Sequence, residues 1–277
     1  MNFYRYQGSP DYIASEELKT TVNAALALNK PLLVKGEPGT GKTLLAQSIA
    51  KSLGMELIRW NVKSTSKAQE GLYHYDVVQR LNDARFQDKD IANIRQYIKM
   101  GPIGRAFKSE QQVALLIDEI DKADIEFPND LLNELDEMNF FIPELSEEVK
   151  AKCRPVIIIT SNAEKELPDA FLRRCLFHYI AFPEPELMTD ILHVHYPDLK
   201  EKLLSNALKQ FYWLRTLTDL KKLPSTSELI DWLFVLMKAG LSEEEIRQGI
   251  PFLSTLVKKE EDSEKVQNRL SSRGKGS

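Results

Sequence analysis

Short, uninterrupted apolar runs alternate along the chain with longer stretches in which apolar residues recur every three or four positions. The runs are PLLVK (31–35), ELIRWN (56–61), VALLI (113–117), PVIIIT (155–160) and LFHYIAF (176–182). Val, Ile and Leu without polar alternation mark strands covered on both faces, as in a parallel sheet with crossover helices. The intervening stretches carry helix punctuation. Ser15 stands as an N-cap ahead of Glu16 and Glu17, with Leu18, Val22, Ala25 and Leu26 as the apolar stripe behind it. Gly54 stops a later helix at about Leu53. The pattern predicts an α/β domain with a five-stranded parallel sheet.

From PEPE (183–186) onward the period becomes helical throughout, with no further apolar run of strand type. An α/β domain over residues 1–183 and a smaller all-helical domain over 184–257 are therefore expected. The last twenty residues, 258–277, are charged and small and predict a disordered tail. Residues 62–112 are too many for a plain connection between the second and third strands, so they form an insert. In it Tyr73, Tyr75, Phe86 and Tyr97 interleave with Arg80, Arg85, Lys89 and Arg95, ahead of the turn MGPIGRAF (100–107). That turn suits either a partner-facing or pore-lining surface or a helix packing its own aromatics.

Composition changes this picture little. A hydrophobic fraction of 43% over 277 residues suffices for a packed core. The net charge of -4 supplies no global basic field, which counts against nucleic acid as the main partner. No apolar stretch approaches the roughly 18 residues of a membrane span, and no basic segment followed by an apolar run opens the chain. A cytoplasmic protein with no membrane span is expected. Cys153 and Cys175 are too few for a disulfide framework and read as reduced, mostly buried thiols. His193 and His195 lie two apart on a helix and point to different sides, His178 falls within a strand, and the acids at 144–148 read as a solvated face.

The chemistry concentrates at three strand ends. GEPGTGKT comprises Gly36, Glu37, Pro38, Gly39, Thr40, Gly41, Lys42 and Thr43, with Leu44 opening the helix behind it. Gly36, Gly41, Lys42 and Thr43 fit G-x-x-x-x-G-K-[ST] between a strand and a helix, the P-loop context. With glycine near 7% of residues, the four positions coincide by accident in roughly one chain in a hundred. Such a loop turns backbone N–H groups and a helix N-terminus toward phosphate, Lys42 reaches the β and γ phosphates, and Thr43 is the Mg²⁺ ligand. Next, ALLIDEID (114–121) is an apolar strand ending in acids. Asp118 is placed to hold Mg²⁺, and Glu119 to orient or deprotonate a water. Third, VIIITSNAEKELPDAFLRRC (156–175) ends a strand in Ser161 and Asn162, after which Pro168 opens a short helix carrying Arg173 and Arg174. Asn162 can hydrogen-bond a phosphate oxygen and the attacking water.

The order P-loop, D-E strand, S-N strand and R-R helix, with a helical domain behind it, resembles the AAA+ ATPases. The wording GPIGRAF, LLIDEIDKADIEFPNDLLNELDEM and ITSNAEKELPDAFLRRC is similar to the MoxR branch, a dynein-related subfamily. The resemblance spans about residues 12–257. It implies a P-loop NTPase core with a helical lid, in a homo-oligomeric ring of six subunits with ATP bound between neighbours and hydrolysed there. It implies Walker A at 36–43, Walker B at Asp118 and Glu119, sensor 1 at Asn162, and Arg173 or Arg174 as the arginine finger for the next subunit. A protein client is implied, one with a von Willebrand A domain among the options, and so is a chaperone-like role. Relatives place a sensor 2 arginine in the segment corresponding to 223–233, where this chain has Ser225, Thr226 and Ser227 and no arginine. An ATP-switched oligomeric scaffold with slow hydrolysis is the alternative function.

Overall fold

The five apolar runs pair into one sheet in the computed structural model, which describes residues 5–86, 91–241 and 243–273. In chain order the first elements are α1 (Glu16–Leu28), β1 (Leu32–Gly36), α2 (Lys42–Ser52), β2 (Leu57–Asn61), α3 (Ala68–Leu72), β3 (Tyr73–Tyr75), α4 (Val77–Phe86), β4 (Ile98–Met100), α5 (Pro102–Lys108) and β5 (Ala114–Asp118). After a 3₁₀ turn at Ile120–Lys122 come α6 (Phe127–Asp130), α7 (Leu132–Glu137), β6 (Asn139–Ile142), β7 (Glu147–Lys150), β8 (Val156–Ser161), α8 (Asp169–Leu172) and β9 (Leu176–Ile180). The helices α9 (Pro185–His195), α10 (Glu201–Arg215), α11 (Thr226–Ala239), α12 (Glu243–Gln248), α13 (Leu253–Leu256) and α14 (Glu260–Arg273) follow.

All pairings in the main sheet are parallel, in the order β2-β5-β8-β1-β9. The interior strand β5 is buried at every position, because α1 and α2 cover one face of the sheet and α5 with the insert covers the other. The edge strands differ from the expected uniform runs. β2 and β9 alternate buried and exposed positions, since an edge strand is only partly overlain by crossover helices. Register sets Lys35 beside Ser161 and Asn61 beside Asp118. Gly36, Asp118 and Ser161 thus leave the sheet at one carboxyl edge, on three adjacent strands.

Local chemistry explains the flanking elements. Leu18 donates its N–H to the Ser15 hydroxyl at 3.2 Å, the N-cap that the sequence predicts. Asn29 ends α1 in the left-handed region. Asn23, fully buried, ties the N-terminal segment to this helix: its Oδ1 accepts from Tyr6 N at 2.8 Å and its Nδ2 donates to Tyr6 O at 2.9 Å.

The insert packs two of its aromatics inward. Tyr73 and Tyr97 are buried, and Tyr75 accepts a hydrogen bond from Arg80. β3 and β4 form an antiparallel ribbon beside them, while Lys89 lies outside the described residues. The turn MGPIGRAF is largely helical. It becomes α5, with Ile103, Gly104, Ala106 and Phe107 buried. A Cβ on Gly104 would lie 2.1 Å from the carbonyl oxygen of Leu72, and one on Gly101 would lie 2.2 Å from that of Glu70, so these glycines bring α5 against α3 backbone to backbone. Of the acids near 144–148, Glu148 is exposed, as expected of a solvated face, while Glu144 and Glu147 are partly exposed. They belong to the β6–β7 hairpin, where Glu147 pairs with Arg95 and Glu144 accepts from the Tyr73 hydroxyl at 2.9 Å.

Two compact units divide the described chain: residues up to Glu37 with Gly41–Ile180, and Pro38–Thr40 with the residues from Ala181 on. The second unit has its own helical core, with Leu204, Phe211, Leu214, Trp232, Leu233 and Leu236 at 2% exposure or less. Ser225 and Glu228 form a capping box at the start of α11, and Arg215 stacks on Phe182 while donating to Pro224 O at 2.6 Å. The tail expected to be disordered is helical over Glu260–Arg273. Two apolar residues four apart, Val266 and Leu270, join the core, and the buried Asp262 accepts the N–H groups of Lys221 and Lys222 at 3.0 and 3.1 Å. The charged composition hides a helix whose docking needs only these few contacts. Cys153 and Cys175 are half-buried free thiols rather than core residues, and burial pushes Cys175 up to about 12.

Candidate nucleotide-binding site

The loop after β1 is shaped by left-handed glycines. Gly39 and Gly41 have φ of 79° and 86°, and Gly41 is the N-cap of α2. A side chain on Gly41 would be strained by that φ and would also meet the Tyr12 ring at 3.2 Å. Lys42, the first residue of α2, is 6% exposed, and its ammonium donates to the carbonyls of Gly36 at 2.9 Å and Glu37 at 2.8 Å. Burial lowers its pKa, while Asp121, Asp118, Glu119 and Glu37 pull it back up. A buried ammonium held at the mouth of a loop of backbone N–H groups is a cation of the kind that fits a phosphate group. Pro38 and Leu44 are exposed.

Asp118 emerges from β5 against Thr43. The Thr43 hydroxyl lies 3.1 and 3.2 Å from the two carboxylate oxygens, although 75 residues separate the pair in sequence. Thr160, fully buried, donates to Asp118 Oδ1 at 2.6 Å, and Arg59 Nη2 stands 3.4 Å from Oδ2. A carboxylate and a hydroxyl, both oxygen donors, fit a hard divalent cation such as Mg²⁺.

Glu119 takes the left-handed conformation, φ 59° and ψ 52°, which costs a non-glycine residue about 1–3 kcal/mol. The surroundings hold it there. Its N–H donates to Thr160 Oγ1 at 2.8 Å, its Oε1 accepts from Asn162 Nδ2 at 3.1 Å, and its Oε2 is paired with the Lys122 ammonium. Ala163, in the loop after β8, is also left-handed, at φ 60°. The loop around it is secured by the buried Asp121, which accepts from Asn162 N at 3.3 Å and Glu164 N at 2.9 Å.

The structure therefore brings Gly36, Gly41, Lys42, Thr43, Asp118, Glu119 and Asn162 to one sheet edge. Arg173 and Arg174 lie elsewhere in the geometry. They follow α8 rather than riding on it, Arg173 being its C-cap. Arg174 pairs with Asp136 and donates to Ala170 O at 2.9 Å, whereas the exposed Arg173 guanidinium makes no hydrogen bond or ion pair among the described residues. Sequence inspection misses Arg59, Asp121, Lys122 and Thr160. Asp121 and Lys122 lie two and three residues after Glu119, and Thr160 precedes the S-N pair, so proximity to the motifs is the signal that points to these three, whereas nothing in the sequence singles out Arg59.

Residues 32–183 match the family described as the ATPase family associated with various cellular activities (AAA). The chain belongs to the AAA family. Membership implies ATP binding and ATP-dependent activity, and the AAA match covers every strand of the parallel sheet. The AAA chain is also similar to midasin from Giardia intestinalis, 29% identical over 165 residues. That alignment covers 56% of this chain and 3% of midasin. Among the described residues, no helix is long and apolar enough to cross a membrane.

Proposed function

We propose that this AAA protein is a MoxR-like, Mg²⁺-dependent ATPase that hydrolyses ATP at the interfaces of a homo-oligomeric ring and remodels a protein client in the cytoplasm. Gly36 to Thr43 cradle the phosphates, with Lys42 turning from the loop carbonyls toward the β and γ oxygens. Thr43 and Asp118 would hold Mg²⁺, which when bound offsets the negative charge of the phosphates. Glu119 takes a proton from the attacking water as the water oxygen bonds to the γ phosphorus. The bond from that phosphorus to the bridging oxygen breaks, leaving ADP and inorganic phosphate. Asn162 orients the water, and Arg173, the unpaired member of the arginine pair, reaches the neighbouring subunit's nucleotide.

The observation that carries this reading is the 3.1 Å bond from Asn162 Nδ2 to Glu119 Oε1, formed just past the ends of the adjacent strands β8 and β5. It aligns a base with a polar group able to share its water. The test is Glu119→Gln, which should keep ATP affinity and stop phosphate release. Hydrolysis by that variant at the parent rate overturns the role of Glu119. In parallel, Lys42→Ala should weaken ATP binding by calorimetry at least about tenfold, equivalent to about 1.4 kcal/mol. Tight ATP binding by the parent protein with no turnover, even in the presence of cell extract, would instead support the oligomeric scaffold.

A further inference from the structure

The carboxylate proposed as the base is fully engaged on its own chain. Glu119 Oε1 accepts from the neutral Asn162 amide, and Oε2 is paired with the Lys122 ammonium three residues along. We propose that Lys122 is a brake on hydrolysis: it restrains Glu119, and ATP turns over faster when its charge is removed. The inference rests on Glu119 acting as the base.

Three observations support it. First, the ion pair is dispensable for the local backbone. Lys122 N already donates to Glu119 O at 3.0 Å, and Asp121 anchors the facing loop through Asn162 N and Glu164 N. With side chains 42% and 36% exposed, the pair adds little to folding. Second, Lys122 acts on the reacting group itself. Its ammonium occupies Oε2, one of the two oxygens available to take the proton from the water. Third, Lys122 is the donor free to leave. The Asn162 backbone is tied to Asp121 and its side chain rises from the sheet edge, whereas the Lys122 ammonium sits on a flexible four-carbon stem in solvent. Lys165 grips the same turn through the carbonyls of Lys122 and Ala123, at 3.3 and 2.8 Å, and leaves the Lys122 ammonium unconstrained.

Steady-state phosphate release by the full chain with Mg-ATP tests the proposal. Lys122→Met keeps the stem and removes the charge, and it should raise kcat about two- to fivefold, the scale set by a partly exposed ion pair, with KM for ATP unchanged. Lys122→Arg, which keeps a cation in reach, should retain the parent kcat. A merely structural lysine would alter the unfolding midpoint and leave this pattern unformed. An unchanged or lower kcat in Lys122→Met overturns the brake, as does a rise that Lys122→Arg shares. If Lys122→Met misfolds, as thermal unfolding would reveal, Lys122→Gln is read by the same criteria. Glu119→Gln separates the two levels. Parent-rate turnover in that variant defeats the catalytic reading, while a dead Glu119→Gln with no gain in Lys122→Met defeats the brake alone.

Discussion

The hydroxyl of Thr160 lies 2.6 Å from Oδ1 of Asp118 and donates to it, while Thr160 Oγ1 itself accepts the N–H of Glu119 at 2.8 Å. One fully buried side chain on β8 thus fixes both acids at the end of β5. Thr160→Val keeps the shape and removes both bonds, leaving buried polar groups unpaired at a cost of about 1–3 kcal/mol. Chemical denaturation should show that loss, and turnover should fall further than ATP affinity. Thr160→Ser should preserve most of both. Equal stability in parent and valine variant would mean that the hydroxyl is idle.

The two arginines after α8 should separate experimentally. Arg174 is paired with Asp136, and both side chains are partly exposed, so Arg174→Ala should lower stability by about 1 kcal/mol or less. Arg173→Ala should leave the unfolding midpoint in place and reduce turnover by roughly 10³-fold or more, as a finger acting on a neighbour's nucleotide requires. Mixed with Glu119→Gln, it should regain phosphate release at interfaces where one protein supplies the finger and the other an intact base. A flat response across mixing ratios, with both proteins co-assembled, would remove Arg173 from that role.

Gly104→Ala should destabilise the α/β unit. The added methyl would be placed 2.1 Å from the Leu72 carbonyl oxygen, inside contact distance of backbone that has little room to give. Overpacking of this kind costs about 1–3 kcal/mol, and the urea midpoint should drop accordingly. Gly54→Ala is a poor control, because its φ of 65° adds strain of its own, whereas Gly249→Ala meets nothing within 4 Å.

Asp262 predicts an acid-sensitive helical unit. Burial raises its pKa, but the N–H groups of Lys221 and Lys222, with Lys265 and Lys259 nearby, outweigh burial and leave it below the ordinary carboxylate value. A group with a depressed folded pKa stabilises the fold fully above its unfolded pKa, and that contribution disappears as pH falls through the folded value. Stability should therefore hold from neutral pH down to the ordinary carboxylate range and then decline. Asp262→Asn should be less stable at pH 7 and lose less between pH 7 and pH 3 than the parent, as read by thermal unfolding at each pH. Identical pH profiles would show that the Asp262 charge carries none of this dependence.

What the sequence by itself determined is whatever local order can encode. Five apolar runs specify five strands, glycines in a fixed spacing specify a loop that bends through left-handed backbone, and acids or amides placed directly after strands arrive at the sheet's carboxyl edge. The P-loop, Asp118, Glu119 and Asn162 were legible for that reason. Tertiary structure decided what depends on distance through space. Thr43 meets Asp118 across 75 residues, and Thr160 meets the same carboxylate across 42, because parallel pairing sets β5 beside β8. Which arginine is tied and which is free depends on Asp136, 38 residues before Arg174. The fate of GPIGRAF turns on two glycines whose missing side chains admit α3, and that of the charged tail on Asp262, which accepts two backbone N–H groups about 40 residues away. In each case the composition of the segment is compatible with exposure, and the contact that buries it is supplied by residues far along the chain.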